Sequence, residues 1–488
     1  MRNSFSLLIA LFVTLGGAFS QENPPNVIVI MADDLGYGDL SSYNTESKIQ
    51  TPNMDKLAAG GIIYWDGHSA SSICTPSRYA FITGNYPWRS DLIKSVSWSG
   101  YDNPLIKKSQ FTIADMMKEA GYTTGIVGKW HLGINFAEKE GNGFVQTKTH
   151  HESGLKGTRD VDFTMPTFGG PNDLGFDYWF GSAAGHNMEP FVFIENRYTV
   201  SIPKIWREAK VPLKTGLSAS EVHEGWMAAD WDDLKVTSTL TAKAIEFIND
   251  SQKSKNPFFL YFAHTAPHRP SNPTADSKNK SKAGDRGDMV YELDQNIGEV
   301  IATLEALGIK DNTLIIVTSD NGGTKVSDNG EDYGHRTAGK LNGYKASLLE
   351  GGHRVPFIAY WPKVIQPNSQ SNALVTSMDI MATLADVVGV EIPVTVDSES
   401  FYASMLSPQI DSPRDQFIHS VSKGTFALRK DNWKYIYNRT NSGGWDEQLY
   451  DLQEDLSEKV NLATANQELC LELRKELFEK IYEGNKMR

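Results

Sequence analysis

A chain of 488 residues with 40% hydrophobic and 22% charged positions has the composition of an ordinary globular protein, long enough for more than one domain. Its formal net charge of −13 argues against a nucleic-acid partner, which would want a basic face. Any anionic substrate must therefore be drawn in by a local positive pocket rather than by overall charge.

The chain opens with Met1-Arg2-Asn3, an apolar run from Leu7 to Leu15, and the small residues Gly16-Gly17-Ala18 ahead of Ser20. A positive start, a short apolar core and small residues at the cleavage site read as a signal peptide over residues 1–20. The run is too short for a membrane span, and no cysteine follows it to carry a lipid anchor. The expectation is an exported protein, periplasmic or secreted, with no membrane span.

Residues 26–31 form a continuous β-branched run, the pattern of a strand buried on both faces, and end in Asp33-Asp34. Thr51-Pro52-Asn53 opens a helix that Gly60-Gly61 stops. Next comes Cys74-Thr75-Pro76-Ser77-Arg78, closed by Thr83-Gly84. A proline favours the first turn of a helix, so Cys74 is placed at the positive end of a helix dipole, with Arg78 projecting from that turn. A reactive centre and an anion cradle are thus built together, which suits an oxyanion ester, either sulfate or phosphate. With two cysteines in an exported chain, a Cys74–Cys470 disulfide is the plain alternative.

A helix over residues 113–120 leads to a strand over 123–127 and then to Gly128-Lys129-Trp130-His131-Leu132-Gly133. Alternation in an extended segment sends Lys129 and His131 to the same side, a cation beside a titratable imidazole. Residues 138–207 show little periodicity and read as long loops over the sheet edge. A helix over 236–248 precedes a strand over 258–262, which runs into His264-Thr265-Ala266-Pro267-His268. A long helix over 289–307 precedes the strand 314–317, which ends in Ser319-Asp320-Asn321-Gly322-Gly323. Lys345 lies ahead of Gly351-Gly352, read as a tight turn. His335 and Arg336 lie in a Gly-rich insert that reads as a solvated loop. From about residue 400 the texture changes to short antiparallel strands and a closing helix over 468–483.

Helices alternating with apolar strands imply an α/β fold with a large, mostly parallel central sheet, followed by a smaller α+β domain with an antiparallel sheet. The domain expectation is a catalytic unit over residues 21–400 and a C-terminal subdomain over 401–488. Asp33, Asp34, Asp320 and Asn321 sit where open parallel sheets bind ligands, beyond the carboxyl ends of strands. Either pair alone reads as turn residues. Both pairs beside the Cys74 motif read as hard oxygen donors for Ca²⁺ or Mg²⁺, with no zinc-type spacing of histidine and cysteine.

In this order and spacing the motifs Asp33-Asp34-Leu35-Gly36-Tyr37-Gly38-Asp39, Cys74-Thr75-Pro76-Ser77-Arg78, Gly128-Lys129-Trp130-His131-Leu132-Gly133, Asp320-Asn321-Gly322-Gly323 and Leu449-Tyr450-Asp451-Leu452 resemble those of the formylglycine-dependent type I sulfatases. These are arylsulfatase-like enzymes with an alkaline-phosphatase-like fold. The resemblance implies that Cys74 is converted to formylglycine by a maturation enzyme, and that Asp33, Asp34, Asp320 and Asn321, with the modified Cys74, hold Ca²⁺ rather than Mg²⁺. It implies that Arg78 and Lys129 stabilise the modified side chain and sulfate, that His131 helps release the covalent ester, and that His268 and Lys345 serve the leaving group and sulfate. His186, in Gly181-Ser182-Ala183-Ala184-Gly185-His186-Asn187, is matched to a polar position near the pocket; His264 matches no fixed residue of the family, and substrate binding is its expected role.

The expected activity is sulfate ester hydrolysis on a sulfated carbohydrate. A geminal diol has a second hydroxyl that drives release of sulfate, whereas a thiol adduct has no such route, and the two steps share one hard displacement. A formylglycine at position 74 also excludes the disulfide. The rivals are a phosphatase or phosphonate monoester hydrolase on the same fold, and a non-catalytic carbohydrate-binding protein, which the intact catalytic set disfavours.

Overall fold

The computed structural model describes residues 24–90, 96–141, 143–145, 159–209, 222–325, 333–412, 414–421, 425–439 and 444–486. The expected signal segment lies outside them. No helix among the described residues is long and apolar enough to cross a membrane.

Continuous apolar runs place their strands in the middle of a ten-stranded sheet. Five neighbouring strands are parallel, in the order Thr313–Ser319, Asn26–Ala32, Phe258–Ala263, Thr123–Lys129 and Tyr178–Ser182. Antiparallel strands extend both edges. Alternate residues feed two cores: Val27, Val29, Phe259 and Tyr261 pack on one face, and Ile28, Ile30, Leu260 and Phe262 on the other. Helices Val236–Ser251 and Gly284–Ala306 cover one layer, the second beginning earlier than its apolar periodicity predicts.

Tyr178–Ser182 is a strand of the central sheet inside the stretch whose composition reads as loop. Its missing signal is glycine: a Cβ at Gly181 would lie 1.7 Å from the carbonyl oxygen of Gly128, so the two strands pass backbone to backbone.

The C-terminal sheet is antiparallel, Gln416–Val421, Thr425–Lys430, Trp433–Arg439 and Trp445–Asp451 in sequential order. Helix Gln467–Lys486 buries Leu473, Leu477 and Ile481 against Tyr435 and Leu449 on one face. The other face packs Ile436 and Tyr450 on Leu348. Cys74 and Cys470 are both free and buried.

Candidate active site

The parallel strands deliver the polar residues to one edge. Asp33 and Asp34 follow Asn26–Ala32, and Asp320 and Asn321 follow its parallel neighbour, in which Ser319 pairs with Ala32. Lys129 ends a third strand, His264 and His268 follow a fourth, and His186 follows the fifth. The carboxyl edge of the sheet is therefore the site, as expected for an open parallel sheet.

Cys74 reaches that edge from below. The proline suggests a helix starting after the cysteine, but the helix is Cys74–Thr83, with extended Ile73 at its N-cap and Pro76 inside the first turn, where an absent N–H is tolerated. Ser77 Oγ accepts the Ser71 N–H at 3.1 Å and donates to the Ser71 carbonyl at 2.8 Å, pinning the approach to the helix. Gly84 closes it with a φ of 63°.

Three cations meet the carboxylates. Arg78 donates through Nε and Nη2 to Asp320 Oδ2 at 3.0 and 2.8 Å, and through Nη1 to the Tyr261 hydroxyl at 3.2 Å. Lys129 Nζ lies 2.8 Å from Asp33 Oδ2, and Lys345 Nζ lies 2.5 Å from Asp34 Oδ1. Asn321 Nδ2 donates to the same Asp34 oxygen at 2.7 Å. Burial would raise the pKa of Asp34, but the charge of Lys345 beside it holds the carboxyl well below its usual range. Burial and the nearby Asp33 charge push Asp320 up to about 6. Burial would lower the pKa of Arg78 and Lys345, but Tyr261, Asp320 and Asp33 beside Arg78, and Asp34 beside Lys345, hold both above their usual values.

The donor set is hard oxygen. Asp33 Oδ1 and Asn321 Oδ1 are buried with no hydrogen-bond partner, which is what a cation held by Asp33, Asp34, Asp320 and Asn321 would use.

The histidines fall into two groups. His131 adopts a φ of 60°, so simple strand alternation does not describe its direction. Its Nε2 sits 2.8 Å from the Ser97 carbonyl, which fixes the proton there and leaves Nδ1 unpartnered. Burial first, then the charge of Lys129, pushes its pKa well down. His268 Nδ1 bonds the Arg269 carbonyl at 2.6 Å and presents Nε2 3.9 Å from Asp34 Oδ2. The His186 ring lies 5.9 Å from the His268 ring, with its Nδ1 buried and unpartnered.

His264 is placed differently from the substrate-binding expectation. It is fully buried, accepts the Ala266 N–H on Nδ1 at 3.0 Å, and meets the Asn296 amide with Nε2 at 3.1 Å. Both ring nitrogens are engaged inside the protein, so it braces the strand end. Burial lowers its pKa to about 3. His335 is not in a solvated loop: its Nε2 lies 2.8 Å from Asp39 Oδ1, in a buried cluster with Arg286 that supports the turn after Asp34. Arg336 is exposed.

Tyr261 carries no sequence signal, because a strand tyrosine reads as core. The same holds for the buried network of Lys434, Glu350 and Glu458, in which Lys434 Nζ lies 2.9 Å from Glu350 Oε1 and 2.8 Å from Glu458 Oε1. Glu350 opens the short helix Glu350–His353, where a tight turn is predicted. Gly322 N donates to the Gly352 carbonyl at 2.9 Å, which ties this segment to Asn321.

A family model described as Sulfatase matches residues 25–390, and one described as N-sulphoglucosamine sulphohydrolase, C-terminal, matches residues 344–486. The chain is 35% identical over 504 aligned residues to an N-acetylgalactosamine-6-O-sulfatase of Bacteroides thetaiotaomicron, covering 94% of this chain and 93% of that protein. It is 30% identical to arylsulfatase A of Bos taurus, covering 95% and 88% respectively. A solved Bacteroides thetaiotaomicron structure, described with the metabolism of multiple glycosaminoglycans, superposes with a TM-score of 0.80 at 32% identity, covering 94% of this chain and 100% of that one. With the catalytic-edge geometry above, these matches show that the chain belongs to the sulfatase family and is a sulfuric ester hydrolase.

Proposed function

We propose that this sulfatase uses a formylglycine made from Cys74 to remove a sulfate ester from a carbohydrate, with a 6-O-sulfated N-acetylgalactosamine of a glycosaminoglycan as the substrate class. The observation that supports the reading most is Cys74 at the N-terminus of a buried helix whose Arg78 grips Asp320, one member of an all-oxygen donor set. The sugar class rests on the relative named for that substrate and aligned over nearly the whole of both chains.

Asp33, Asp34, Asp320 and Asn321 would hold the cation, Ca²⁺ by its taste for several carboxylate and carbonyl oxygens. Bound there, a divalent ion lowers the pKa of a neighbouring hydroxyl and offsets sulfate charge. The hydrated aldehyde supplies the attacking hydroxyl. Arg78, Lys129 and Lys345 bring fixed positive charge to the sulfate oxygens, where preorganised donors act most strongly. His131 accepts a proton at Nδ1, the nitrogen its bond to Ser97 leaves open. His268, held through Nδ1 by the Arg269 carbonyl, would deliver a proton from Nε2 to the sugar oxygen; burial pushes its pKa well down, and the nearby Asp34 carboxylate opposes that shift. Export through residues 1–20 and action of a maturation enzyme on Cys74 belong to the same proposal.

Sulfate release from a panel of 6-, 4- and 2-O-sulfated sugars, run beside an aryl sulfate and an aryl phosphate, tests it. Turnover of 6-O-sulfated N-acetylgalactosamine above the others is expected. Preference for another sulfate position would overturn the sugar class, and dominant aryl phosphate hydrolysis would favour the phosphatase or phosphonate monoester hydrolase reading.

A further inference from the structure

Three loops close over the site beside His186 and His131. The backbone N–H of His223 donates to the Asn187 carbonyl at 2.9 Å, which ties His223 to the loop that carries His186. Glu189, buried on that same loop, pairs with His223 Nδ1 at 3.1 Å and accepts the Ser99 hydroxyl at 2.7 Å. Ser99 stands two residues from Ser97, whose carbonyl fixes His131.

One acceptor in this roof is buried and unspent. Asn187 is 3% exposed, and its Oδ1 is buried without a partner. A Cβ built on Gly185 would lie 2.7 Å from that oxygen and 3.9 Å from Lys129 Nζ, so the amide lies one small group away from the sulfate-binding ammonium. His223 turns Nδ1 to the Glu189 carboxylate, which directs the opposite ring nitrogen, Nε2, away from it. A buried acceptor left unpaired is costly, so Asn187 Oδ1 is expected to meet a donor in the working complex.

We propose that Asn187 and His223 are specificity residues that accept hydrogen bonds from the O–H and N–H groups flanking the sulfated carbon, and that Glu189 is the positioning residue that holds His223. This rests on the carbohydrate reading above. The charge of Glu189 adds a second consequence. A carboxylate beside this subsite repels a further sulfate or carboxylate on the same sugar, so the roof selects a singly sulfated residue with neutral neighbours. Desolvated acceptors are discriminating elements, because a ligand lacking the matching donor leaves them unpaired.

The test uses full-length, cation-loaded enzyme with melting curves for each variant, and measures kcat/KM on an aryl sulfate, on 6-O-sulfated N-acetylgalactosamine and on its 4,6-disulfated form. Asn187→Ala and His223→Ala are expected to lose at least tenfold more kcat/KM on the monosulfated sugar than on the aryl sulfate, chiefly through KM. Glu189→Gln is expected to narrow the preference for the monosulfated over the disulfated sugar, a change that loss of fold stability does not produce. Equal losses on sugar and aryl sulfate, or no loss on the sugar, would overturn the proposal. Wild-type turnover of a different sulfated sugar would overturn the N-acetylgalactosamine reading alone, and the same ratios are then read on that sugar.

Discussion

Arg78 donates from Nε and Nη2 to a single oxygen of Asp320, at 3.0 and 2.8 Å, and neither side chain is exposed. One residue comes from the first turns of the Cys74 helix and the other from a strand end, so the contact fixes that helix against the carboxylates proposed to hold the cation. A lysine cannot reproduce the planar fork. Arg78→Lys is predicted to lower kcat about 10²–10³-fold, the usual effect of removing one preorganised charged donor. Steady-state kinetics on an aryl sulfate check it, and a loss below tenfold would contradict the role.

His268 should matter in proportion to how poor the leaving group is. His268→Gln is predicted to cost about 10²–10⁴-fold on a sugar sulfate, where the departing alkoxide needs a proton. On a nitrophenyl sulfate, whose phenolate leaves unaided, the loss is predicted to be at least tenfold smaller. Equal losses would remove His268 from proton delivery.

Removal of the cation is predicted to abolish turnover. Exhaustive chelation followed by elemental analysis should give inactive protein that Ca²⁺ restores, because the donor set is carboxylate and amide oxygen. Full activity in metal-free protein would contradict the assignment of Asp33, Asp34, Asp320 and Asn321.

Lys434 is the buried cation between Glu350 and Glu458, and it joins the C-terminal sheet to the segment under Asn321. Burial first, opposed by the Lys434 charge, leaves Glu458 raised to about 7, while Lys434 and Arg354 overcome burial at Glu350 and hold it well below its usual value. Lys434→Met strands Glu350 and is predicted to destabilise the protein by about 3–5 kcal/mol. The denaturant midpoint should fall accordingly, and Lys434→Met with Glu458→Gln should recover part of the loss.

Three buried histidines tie stability to pH. Burial lowers the pKa of His264, to about 3, and of His353 and His419. Below about 6.5 the unfolded chain takes up protons that the folded chain refuses, so stability falls as pH drops from there toward 3. His419 has both ring nitrogens buried without partners and stacks on His353 with centroids 3.6 Å apart. His419→Phe keeps the stacking and removes one proton of linkage. Its melting temperature should fall less steeply between pH 6.5 and 4 than that of the wild type, and an unchanged slope would contradict this.

The catalytic edge is legible in the sequence because the motif residues sit directly after strands whose apolar runs are unmistakable. Asp33-Asp34 and Asp320-Asn321 are examples, since two adjacent parallel strands must bring their ends together. What the sequence hides is long-range pairing. His264 shows the same chemistry as His268 from four residues away, and its contacts with the Ala266 N–H and with Asn296 from a distant helix separate it from the proposed proton donor. The pair Glu189–His223 is split by 34 positions and the Lys434–Glu350 pair by 84, with no local pattern to join them. Strand Tyr178–Ser182 carries only three apolar residues before Gly181-Ser182, and the close backbone approach at Gly181 cuts short the run that would mark it.

The central claim is that the working residue at position 74 is a formylglycine. Intact-peptide mass spectrometry of the segment containing Cys74, on preparations of measured specific activity, tests it most directly. An aldehyde or its hydrate is expected at that position, with activity proportional to the modified fraction and lost in Cys74→Ala. An unmodified thiol, or a bridge to Cys470, in fully active enzyme would contradict it.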